Sequence, residues 1–168
     1  MSWAKRNLER EGAIIHVNAY GLEKLDFKRG PLRKAIRREA RAVAKAARQL
    51  VARTAVSRPG EYPGKDTGAL QKSITAKPSK SGMSAAIFPD RNLLGISPSD
   101  DGYYPAILYY GVRVGAHRRR DHQKQHDNGA DWRIAPRSNY VLDAAIAREM
   151  QIRDAITEAM AEGLKHIE

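Results

Sequence analysis

Hydrophobic and polar positions change period several times along this chain, and each change predicts an element. Residues 13 to 18, AIIHVN, are mostly β-formers bounded by Gly12 and Asn18, which predicts a short strand. A connecting segment, AYGLEKLDFKRG, follows. Gly30 and Pro31 then mark a helix start, because proline has the helical φ built in and no N–H to leave unpaired in a first turn. From Pro31 to about Val56, Ile36, Ala40, Val43, Ala47, Leu50 and Thr54 recur at steps of four and three, which predicts a long amphipathic helix. It would run about 39 Å at 1.5 Å per residue. Its stripe alternates large residues with alanines, so another element can approach closely. The remaining faces carry Arg33, Lys34, Arg37, Arg38, Arg41, Lys45, Arg48 and Arg53 against the single acid Glu39.

Two β-compatible runs come next, QKSITAKPS at 71–79 and MSAAIF at 83–88, with KSG between them as a hairpin turn. PDRNLLGISPSDDG reads as a loop. Tyr104 to Tyr110 reads as two turns of helix, with Pro105 near its start and Gly111 just past its end. Residues 112–131 show no usable period and predict a long basic surface loop that works at an interface. WRIAP predicts a last strand, and Asn139 caps a final helix from Tyr140 to about Leu164. On that helix Leu142, Ala145, Ile146, Ile152, Ile156 and Met160 predict one broad apolar face, and Glu149 and Arg153 form an i, i+4 pair within it, the mark of an interface edge. The expected fold is α+β. A long N-terminal helix and a C-terminal helix pack on a small, mostly antiparallel sheet, with an arm at 1–12 and a core at 13–164.

Composition sharpens this picture in two ways. With 168 residues the chain suits one domain, but only two Trp and two Phe are available, so the core is thin. A thin core with long helices implies apolar surface buried against other subunits. Thirty Lys and Arg against nineteen Asp and Glu give a formal charge of +11, which calls for an acidic neighbour, either nucleic acid or an acidic protein surface. There is no cysteine, hence no disulfide or thiolate chemistry, and no run approaches the roughly 18 apolar residues of a membrane span. The expectation is a soluble, unexported protein.

Candidate chemistry is sparse. The stretch PGEYPGKDTGALQKSI contains Gly60, Gly64, Lys65 and Thr67, but the glycine spacing is one residue short of a phosphate loop. Asp66 also stands where the hydroxyl belongs, and its carboxylate would repel a phosphate. His122 and His126, with Asp121, share metal-ligand spacing but lack the adjacent glutamate of a catalytic zinc helix. Asp100 and Asp101 are adjacent turn residues and not a separated acid–base pair. No GxSxG elbow occurs. These patterns predict no enzyme, no cofactor and no metal. Arg118, Arg119 and Arg120 form a basic cluster that suits a carboxylate partner or sequence-independent contact with DNA.

Four stretches, in order, carry a resemblance. Gly21 and Leu22 ahead of the long helix, TGALQKSI at 67–74, YPAILYYG at 104–111 and APRSNYVLDAAI at 135–146 resemble the minor tail-component proteins of long-tailed bacteriophages, also described as neck or tail-completion proteins. The chain departs from that pattern at Tyr109, where the family commonly has Glu, and at Ser138 and Asn139, where it has Pro-Phe.

The resemblance implies a structural virion protein without catalysis, assembled in the host cytoplasm. It would form a ring, hexameric like the tail, that joins the portal connector to the tail beside stopper, terminator or tube proteins. It implies that Thr67 and Gly68 make a turn launching the first hairpin strand, that Leu70 and Ile74 face the core, and that Tyr104, Tyr109, Gly111, Pro136 and Arg137 are structural. Arg33, Arg37, Arg41, Arg48, Arg118, Arg119, Arg120, Glu149 and Arg153 are the expected inter-subunit or partner contacts. The alternatives are a tail terminator capping the tube and a basic nucleic-acid-binding module.

Overall fold

A computed structural model describes residues 12–17, 27–51, 56–96, 103–115 and 131–164. Its central element is α1 (Arg29–Leu50), whose buried stripe of Leu32, Ala35, Ile36, Ala40, Val43, Ala44 and Ala47 matches the predicted period. The helix begins two residues before the predicted start. Pro31 is therefore its third residue, still within the first turn, where a missing N–H costs no intrahelical bond. It also ends earlier than predicted, with the Val51 N–H capping the Ala47 carbonyl at 3.3 Å. Arg53 and Thr54 lie outside the described residues.

A three-stranded antiparallel sheet packs on α1, in the order β1-β3-β2, from β1 (Ala13–His16), β2 (Ile74–Pro78) and β3 (Ser84–Pro89). The register sets Ala13 opposite Ile87 and Ile15 opposite Ala85, and these with Ile74 form the face buried against the helix. The KSG turn joins β2 to β3 as expected. Gly82 adopts φ +74° there, and a Cβ would lie 2.8 Å from Arg33 Cγ, so the Arg33 stem lies over the hairpin.

The TGALQKSI segment departs from its expected form. A one-turn helix, α2 (Ala69–Ser73), precedes the strand, which starts at Ile74 instead of Gln71. Local polar groups favour the turn. Thr67 Oγ1 accepts from the Ala69 N–H (3.3 Å), Lys72 N–H donates to the Gly68 carbonyl (3.0 Å), and Ser73 Oγ donates to the Leu70 carbonyl (2.7 Å). Gly68, at φ +77°, makes the turn, and Leu70 and Ile74 are buried, as expected.

Helix α3 (Tyr104–Tyr110) matches its predicted bounds. The expected loop at 112–131 begins differently. Val112–Arg113 (β4) pairs with Trp132–Ile134 (β5) as a small second sheet, with the Arg113 guanidinium 3.6 Å over the Trp132 ring. Residues 116–130, including Arg118, Arg119, Arg120, His122 and His126, lie outside the described residues.

The predicted final helix is two. Asn139 Oδ1 caps α4 (Tyr140–Ile146) by accepting from the Val141 and Leu142 N–H groups at 3.2 and 3.0 Å. Then the ladder slips, with Arg148 N–H bonding back three residues to Ala145, before α5 (Glu149–Leu164) resumes. The predicted apolar face holds in part, since Ala145, Ile152, Ile156 and Met160 pack against the core. Val141, Ala144, Ala155, Ala159 and Gly163 are buried, whereas Leu142 and Ile146 are 45% and 60% exposed. Small residues mark this contact because α1 and α5 pack closely. A Cβ on Gly163 would come within 2.3 Å of Phe27 Cε2 and 2.9 Å of the Lys28 carbonyl oxygen. Gly163→Ala should therefore lower stability by about 1–3 kcal/mol in urea unfolding. An unchanged midpoint would mean that the two segments do not meet.

Candidate functional site

Three of the stretches that drew attention in the sequence meet at one place. Gly64 to Gln71, Tyr104 and Leu108 of α3, and Arg137 line an open cleft of about 360 Å³ beside Val51, Val56 and Ser57. The cleft owes its shape to Arg137. Its Nε donates to Ser57 Oγ at 2.9 Å, Nη2 to the Ser57 carbonyl at 2.8 Å and Nη1 to the Ala135 carbonyl at 2.9 Å, while its backbone N–H reaches the Leu108 carbonyl at 2.8 Å. The planar guanidinium ties the Ser57 loop to the residue after β5, and the backbone N–H of the same residue adds the end of α3.

Around it the two loops run side by side. Gly60 N–H donates to the Pro136 carbonyl (3.1 Å), Ser138 N–H to the Glu61 carbonyl (3.0 Å), and Ser138 Oγ to the Gly60 carbonyl. Tyr62 Oη donates to Asp143 Oδ2 at 3.1 Å, and burial together with that carboxylate pushes the Tyr62 hydroxyl up from its ordinary value. Gly111 completes the frame at φ +72°, where a Cβ would meet Trp132, the Ile134 carbonyl and Pro136 at 2.6–2.9 Å.

Three polar side chains of this cleft are engaged within the chain. Arg137 is bound as above, Thr67 caps its turn, and Gln71 Nε2 donates to the Arg48 carbonyl at 2.8 Å. Lys65, Asp66 and Thr67 stand exposed at its mouth. Leu70, Val51 and Leu108 supply apolar lining to the cleft.

The other expected contact residues are distributed over the surface. Arg37 and Arg41 are exposed on α1, beside Arg33. Arg48 is engaged within the subunit, with Nε and Nη2 donating to the Ile74 carbonyl at 3.0 and 2.5 Å. Glu149 and Arg153 form their i, i+4 pair at 3.3 Å, exposed and outside the buried face of α5. Tyr104 is 37% exposed at the cleft, and Tyr109 meets Tyr110 edge to face at 4.8 Å.

One charged group departs from the sequence expectation. Glu39 belongs to the buried stripe of α1, where its carboxylate accepts from Arg38 Nε at 2.8 Å and Arg148 Nη2 at 3.0 Å. Burial alone would push this carboxyl up, but the hydrogen bonds and charges of Arg38 and Arg148 outweigh it and hold it below its ordinary 4.5. Its position was legible, three residues after Ile36 and four before Val43. Among the described residues no helix is long and apolar enough to cross a membrane. No family model, curated protein or solved structure matches the chain.

Proposed function

We propose that this chain is a structural subunit of a tailed-phage virion, a ring-forming neck or tail-completion protein that joins head to tail without catalysing a reaction. The observation that carries the reading is the convergence of TGALQKSI, YPAILYYG and APRSNY on one cleft framed by Arg137 and Gly111. Three separate stretches that resemble one family act here as a single structural unit. In this reading the cleft is a recess for an apolar side chain of a neighbouring virion protein, and the committed hydrogen bonds around it fix its shape.

The second reading, a basic nucleic-acid-binding module, is favoured by one observation. All eight Lys and Arg residues of α1 are exposed, and the helix's one acid, Glu39, is buried. Virions assembled without this chain separate the two. Filled heads and finished but unattached tails are expected on electron micrographs, whereas normally joined particles would overturn the joining role.

A further inference from the structure

Two rows of exposed residues on this subunit have the same spacing and opposite character. On α1, Arg29, Arg33, Arg37, Arg41, Lys45 and Gln49 recur every four residues, and all are exposed. Across α4 and α5, Leu142, Ile146, Met150, Asp154, Glu158 and Glu162 also recur every four, and all are exposed. The first row is cationic almost throughout. The second is apolar in its N-terminal half, with Leu142, Ile146 and Met150 at 45%, 60% and 75% exposure, and acidic in its C-terminal half. Asp154, Glu158 and Glu162 make no ion pair among the described residues. A step of four residues advances about 6 Å and turns about 40° around a helix, so the central members share a face: Arg37, Arg41 and Lys45 span about 12 Å on α1, and Asp154, Glu158 and Glu162 likewise span about 12 Å on α5.

We propose that the cationic row of α1 on one copy docks on the α4–α5 row of a second copy of this chain. The charges match over the acidic half. Over the apolar half, arginine stems can cover Leu142, Ile146 and Met150 while their guanidinium groups stay in water. The contact is head to tail. Each copy presents both surfaces, and after one contact every terminal copy still has one of them open, so the contact repeats, and a rotation that closes makes it a ring. This rests on the ring reading above and supplies the surface that reading requires. It assigns the cations to carboxylates of the same protein in preference to phosphates.

The test is a charge swap on the full chain. One variant carries Arg37→Glu and Arg41→Glu, the other Asp154→Lys and Glu158→Lys. All four sites are exposed, so folding is retained. In sedimentation velocity at low ionic strength the unaltered chain should associate, and salt should weaken that association. Each variant alone should lose it by about a hundredfold in affinity, because like charges then face each other. Mixed in equal amounts, the two variants should regain it, since the reversed α1 row of one meets the reversed α5 row of the other.

Several outcomes overturn the proposal: an unaltered chain that stays monomeric at low salt, variants that associate normally alone, a mixture that fails to recover, or an end state no larger than a dimer. Binding of duplex DNA by a monomer, abolished by the α1 reversal, would assign the row to phosphates instead. Recovery in the mixture alongside normally joined virions lacking the chain would keep this interface and reject the neck role.

Discussion

Gly111→Ala is expected to destabilise the domain by about 4 kcal/mol. Two effects combine. At φ +72° and ψ 177° the backbone occupies a region that only glycine visits freely, which costs an L-residue about 1–3 kcal/mol. The added Cβ would also lie 2.6 Å from Trp132, 2.7 Å from the Ile134 carbonyl oxygen and 2.9 Å from Pro136. Moving backbone and proline atoms out of the way costs about 1–3 kcal/mol more. The damage should fall on the cleft, because Pro136 and Arg137 follow β5 directly. Urea unfolding of the variant, with hydrogen exchange at the Arg137 and Ser138 amides, measures both. A change below about 1 kcal/mol would mean that the segment has another conformation.

Glu39→Ala should cost about 3 kcal/mol. Removing the carboxylate leaves Arg148, about a third exposed, facing the helix stripe with its ion-pair partner gone. Glu39→Gln should cost less, since an amide oxygen can still accept one bond. The acid dependence has a definite sign. The folded-state pKa of Glu39 is depressed, so its contribution is fully present above its ordinary 4.5 and disappears as pH falls through the folded value. The stability gap between the unaltered chain and Glu39→Gln should therefore stay constant above pH 4.5 and close below it. A gap that widens in acid would show that Glu39 is protonated in the folded state.

These two residues also show where the sequence was readable. Gly111 was identified correctly as a helix terminator, because its neighbours carry the period of α3 up to it. Its close contact with Trp132 could not be read, since that pairing depends on β4 and β5 meeting across a segment without periodicity. Glu39 was grouped with the cations because charge overrode position, although the period of α1 puts it on the inner face. The C-terminal helices show the opposite error. Of the predicted apolar face, Leu142 and Ile146 are exposed while Ala145, Ile152, Ile156 and Met160 pack against the core, and the small Ala144, Ala155, Ala159 and Gly163, which hydrophobic size does not single out, are buried. Hydrophobic size predicts burial well against a sheet, as at Ile15, Ile74 and Ile87, whereas between closely packed helices alanine and glycine share the buried positions with larger residues such as Val141. The cleft itself was visible only as three separate short stretches, because Arg137 joins residues 80 positions apart and no local pattern encodes that.

The contact between Gly163 and Phe27 has a consequence for synthesis. The Lys28 N–H also donates to the Gly163 carbonyl at 3.3 Å, so the start of α1 is joined to the end of α5. A ribosome adding roughly 5–20 residues per second makes the intervening chain in about 7–27 s. For most of that interval α1 has been made but the helix that covers its first turns has not. Leu32 and Ile36, fully buried in the finished domain, then have to be shielded by chaperones or by the partly formed sheet. The first turns of α1 thus reach their final packing only after α5 has been made. In the proposed contact, copies still being translated side by side on one message would have no α5 acids to offer one another.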